Sequence, residues 1–175
     1  MRGSSRLEHL VFLSIFLLAA GLFVWIVRDY QAEAEKLSVE LTISSIRTGL
    51  TIRIGDAMFH PEKGIDGRAL IGSNPVELLS APPAGYLGAF RGLQAELLPT
   101  GSWFFDSGTG ELVYRLMHDS GFEATAPALA VGKSEIRWML MARGGVPEST
   151  TKVVENAYVP LENIVLTPTV KYTWH

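Results

Sequence analysis

Cysteine is absent from the 175 residues. Its absence removes disulfides, thiolate metal sites and thiol nucleophiles together, yet leaves an oxidising compartment open. Histidine occurs only four times. His118 with Asp119 is the one His–Asp neighbour pair, and nothing at metal-ligand spacing accompanies it. Positive charge is scarce and scattered: 15 Lys and Arg against 18 Asp and Glu leave a net charge of -3. No basic run marks a nucleic-acid surface, so no nucleic-acid partner is expected. No serine lies in a Gly-x-Ser-x-Gly context, and Ser107 in DSGTG reads as a turn residue. No acid, base or metal group can be assembled into a catalytic constellation, so the expectation is a chain that is not an enzyme and takes no metal or cofactor. Internal repeats and low-complexity tracts are missing as well.

Helix breakers are unevenly missing. The chain has 9 prolines and 17 glycines, but between Arg28 and Ala57 there is no proline and only Gly49 and Gly55. Before that stretch, residues 10–27 read LVFLSIFLLAAGLFVWIV, with Ser14 the one polar side chain. As a helix this run is about 27 Å long, close to the thickness of a bilayer core. It lacks the polar face of a soluble-core helix. It is longer than the apolar part of a secretory signal, and the charged VRDYQAEAEK follows in place of a cleavage site. An uncleaved membrane span is therefore expected. Arg2 and Arg6 precede it, while Asp29, Glu33 and Glu35 follow, which puts the N-terminus in the cytoplasm and the bulk of the chain outside.

Beyond the span, Val39, Ile43, Ile46, Leu50, Ile54 and Ala57 recur at three- and four-residue steps, so the helix is expected to continue with one apolar stripe. The β-branched Thr42, Ile43, Ile46, Thr48, Thr51, Ile52 and Ile54 lower its intrinsic propensity, and that half needs a packing partner in the rest of the chain. FHPEKGIDG breaks the helix. Asn74, Pro75 and Glu77 stand as N-cap, first helical residue and N3 of a short helix. GSWFFDSGTGELVYRLMH then reads as a hairpin, Trp103 to Asp106 and Leu112 to Met117 about the turn SGTG. Asp106 and Glu111 bracket that turn, and the turn accounts for them. Residues 134–143 form a third candidate strand and residues 164–174 a fourth, with Pro168 marking an edge or a break. Trp103, Phe104 and Phe105 must point to alternate faces of their strand. ARGGVPEST and the terminal KYTWH are expected as exposed partner surfaces. The predicted fold class is α+β: a long N-terminal helix, transmembrane then amphipathic, packed on a small antiparallel sheet.

One charge remains unexplained by a plain anchor. Glu8 stands at the lip of the apolar run, where an unpaired carboxylate is costly. It lies five residues after Gly3, behind the short basic stretch MRG. That spacing, the apolar helix and the RDYQAEAEK that closes it resemble the N-terminus of type IV pilins and pseudopilins, with Asp29 and Tyr30 in register with the family's closing segment. GSWFFDSGTGELVYRL also resembles a hairpin of pilin-like globular domains. The resemblance implies a leader over residues 1–3, cut between Gly3 and Ser4 by a prepilin peptidase and followed by N-methylation. It implies a transmembrane part over 4–28, an extramembrane helical part over 29–59 and a globular domain over 60–175. It gives Glu8 an assembly role, pairing with the new α-amine of a neighbouring subunit, and makes Arg28, Asp29 and Tyr30 the membrane boundary. The implied partners are other pilin-like subunits, the inner-membrane assembly platform, the peptidase and the lipid bilayer. Ser4 stands where pilins usually carry phenylalanine, Arg6 replaces an apolar residue, Leu17 and Trp25 replace the usual Gly and Pro, and no C-terminal cysteine pair is present. These departures point to a minor or atypical subunit. The rival reading is a membrane-anchored periplasmic adaptor that never enters a filament.

Overall fold

A computed structural model describes residues 4–60, 67–92, 97–118, 121–124, 134–143 and 159–174, with the backbone alone at 4–6 and 29. The chain forms two compact units, Met1–Leu37 and Ser38–His175. Helix α1 spans Ser4–Phe59 and so contributes to both. It stops just before Pro61, in keeping with the bias of a pre-proline residue against helix. The FHPEKGIDG breaker lies largely outside the described residues, as does ARGGVPEST beyond Arg143.

In the first unit, the stretch of α1 over residues 10–27 is apolar and uncovered. Ser14, its polar exception, donates its hydroxyl to the Val11 carbonyl at 2.8 Å, which spares an apolar surround an unmet donor. In the second unit, the expected stripe is the buried one: Val39, Ile43, Ile46 and Leu50 are buried and Ile54 packs against them.

The partner of that stripe is a five-stranded sheet in the order β1-β2-β3-β5-β6. Its strands are β1 (Tyr86–Phe90), β2 (Ser102–Asp106), β3 (Glu111–Arg115), β5 (Glu135–Ala142) and β6 (Ile164–Pro168). The hairpin forms with Phe104 opposite Val113 and Asp106 opposite Glu111. Most neighbours are antiparallel, but β1 joins β2 in parallel, so the sheet is mixed. Parallel pairing requires a long connection, here the chain from Phe90 to Ser102. The fourth predicted strand divides at Pro168: β6 stays in the main sheet, and β7 (Tyr172–Trp174) pairs with β4 (Phe122–Ala124) in a separate two-stranded sheet. Asn74 caps as expected, its Oδ1 accepting from the Val76 amide at 3.2 Å. The helix it starts is a single 3-10 turn, Pro75–Leu78.

Trp103, Leu112, Tyr114, Ile136, Trp138, Leu140 and Leu166 meet the helix stripe in one core. Trp103 stacks obliquely between Tyr114 and Trp138, at ring centroid distances of 4.7 and 5.5 Å. The opposite face of the sheet buries Phe104 and Val113 under Phe90 and Leu98. Strand β1 serves both faces. Four residues apart, Tyr86 and Phe90 would share a side in a regular strand. A register shift between Tyr86 and Ala89, with Gly88 at φ 113°, turns Tyr86 to the helix-side core and Phe90 to the other.

Candidate functional site

The expected site residues that the structure describes lie at the start of α1 or where its apolar run ends. Gly3 is outside the described residues, and Ser4 is the first residue of α1. Glu8 lies on the helix surface, exposed, two residues before the uncovered apolar stretch that starts at Leu10. Leu18 and Trp25 show the character of that stretch, at 75% and 67% exposed. Within the described residues α1 is the one helix long and apolar enough to cross a membrane. Arg28 and Tyr30 are exposed just past the apolar run, and Asp29 continues the helix between them. The structure thus places one carboxylate at one end of an apolar cylinder and a charged, aromatic collar at the other. A tyrosine there suits the membrane–water interface, where an apolar ring and a polar hydroxyl are both satisfied.

A second polar constellation is one that sequence reasoning missed. On the sheet face away from α1, Glu135 holds two arginines. Its Oε1 accepts from Arg115 Nε at 2.9 Å, and its Oε2 accepts from Arg137 at 2.7 Å. Arg137 also donates to Glu111 Oε2 at 2.9 Å and lies 3.8 Å from Asp106 Oδ2. Arg115, only 2% exposed, donates further to the Leu98 carbonyl and lies over the Phe104 ring, 5.4 Å from its centroid. Burial opposes the Arg137 charge, but its hydrogen bonds to Glu111 and Glu135 and their charges outweigh it and hold the guanidinium pKa above its ordinary value. The two acids that bracket the hairpin turn therefore face a guanidinium. Asp106 also accepts the Gly108 amide at 2.9 Å, closing the turn. The network ties β2, β3 and β5 together. Its trace in the sequence is a period of two, Glu111-Val113-Arg115 and Glu135-Arg137, which sets the charges on one face.

A cleft of about 460 Å³ lies beside the last turns of α1, lined in part by Arg53, Asp56, Ser73, Asn74 and Glu77. Ser73 donates to the Leu70 carbonyl, and Asn74 donates to the Tyr86 hydroxyl at 2.9 Å while capping Val76. Both serve the fold. His118 is half-buried past the end of β3, and its neighbour Asp119 is outside the described residues. Among the described residues no group of three or more His, Asp or Glu side chains could hold a metal ion. Neither a protein-family model nor a curated protein nor a solved structure matches the chain.

Proposed function

We propose that the chain is a pilin-like subunit of a type IV pilus or type II secretion pseudopilus, in a minor or initiating position. The observation that carries this reading is Glu8: a lone acid at the lip of an apolar helix that is uncovered on all sides, five residues after Gly3. A plain anchor needs no carboxylate there. A subunit drawn from the membrane into a helical bundle does, because the acid can meet the α-amine exposed on a neighbour once the peptidase has cut between Gly3 and Ser4. Two opposite charges in an apolar core require one another, and such a pair fixes register more than it adds stability. The chain sits in the inner membrane with its N-terminus in the cytoplasm and Arg28, Asp29 and Tyr30 at the outer boundary. The sheet unit is displayed in the periplasm or on the filament, and the inner-membrane assembly platform engages the helix.

The test is Glu8→Ala. Membrane insertion is expected to persist, and recovery in sheared filaments or pseudopili is expected to fall to background. Normal incorporation of that variant overturns the assembly role. Intact-mass measurement of the membrane-extracted wild-type chain provides the second arm. Loss of Met1 to Gly3 supports the pilin reading, and a full-length chain in cells with an active peptidase supports the tethered adaptor.

A further inference from the structure

We draw no further inference here: the strongest candidate, the cleft between the last turns of α1 and the Pro75–Leu78 turn with Arg53, Asp56 and Glu77 on its walls, carries none because nothing in the structure shows what fills it.

Discussion

Glu135 uses both carboxylate oxygens on arginines, and Arg115 among them is almost wholly buried. Such a group is costly to remove singly, because its partners are left charged and uncompensated. Glu135→Ala is expected to lower unfolding stability by about 3–5 kcal/mol, read from urea titration of the detergent-solubilised chain by tryptophan fluorescence. Arg115→Met with Glu135→Leu should cost much less than that single change. Two tyrosines give a pH signature. Burial pushes the Tyr86 phenol up, with Asn74 pulling back and Glu77 adding to the rise. Burial likewise pushes Tyr172 up, against Arg47 and Trp138 and with Glu40. A raised pKa means that the folded chain holds the phenolic proton more tightly than the unfolded one. The stability this confers is whole below the unfolded tyrosine value near pH 10 and is lost as pH rises through the folded value. Unfolding midpoints are therefore expected to fall above about pH 10, and Tyr86→Phe with Tyr172→Phe should flatten that fall. Glu8, Arg28 and Tyr30 were legible from the sequence because hydropathy isolates them. The arginine–carboxylate network was not, because Arg115 and Glu135 lie 20 residues apart in the chain and meet only through the β3–β5 register.

At the scale of elements, close approach is tested at Gly49. A Cβ there would stand 2.4 Å from the Leu78 carbonyl oxygen, a backbone atom, so the 3-10 turn would have to move. Gly49→Ala is expected to destabilise by about 1–3 kcal/mol. Gly55→Ala on the same helix meets open space and should gain up to about 1 kcal/mol from helix propensity. Paired thermal melts of the two variants check the contrast. The α1 stripe, the hairpin, the strand at Glu135–Ala142 and the Asn74 cap could all be read from periodicity and turn chemistry, which act over a few residues. Strand β1 could not: Tyr86-Leu87-Gly88-Ala89-Phe90 changes face at its bulge and so shows no steady alternation. The split of residues 164–174 between two sheets was foreshadowed only by Pro168. Pairing of β7 with β4 depends on residues about fifty positions apart in the sequence, which no local pattern encodes.

For the whole molecule the defining contrast is between a unit that buries its apolar side chains and one that leaves them uncovered. The uncovered unit is long and apolar enough to cross a bilayer. The full chain is accordingly expected to resist alkaline carbonate extraction from membranes. Leu17→Arg, which places a charge costing about 2.5–3.5 kcal/mol near the middle of the run, should release a measurable fraction into the extract. Unchanged retention of that variant would show that the run is not what holds the chain to the bilayer.

The bulge at Gly88 also bears on crowding. A border strand with a regular pleat is a template on which a stranger's backbone can zip up, and long, uncharged ones seed fibrous aggregates. Here the border reverses its facing halfway along, and the opposite border is cut short by a proline. Neither rim gives an intruding chain an uninterrupted ladder. The five-stranded sheet is therefore a poor template for a stray strand on either side.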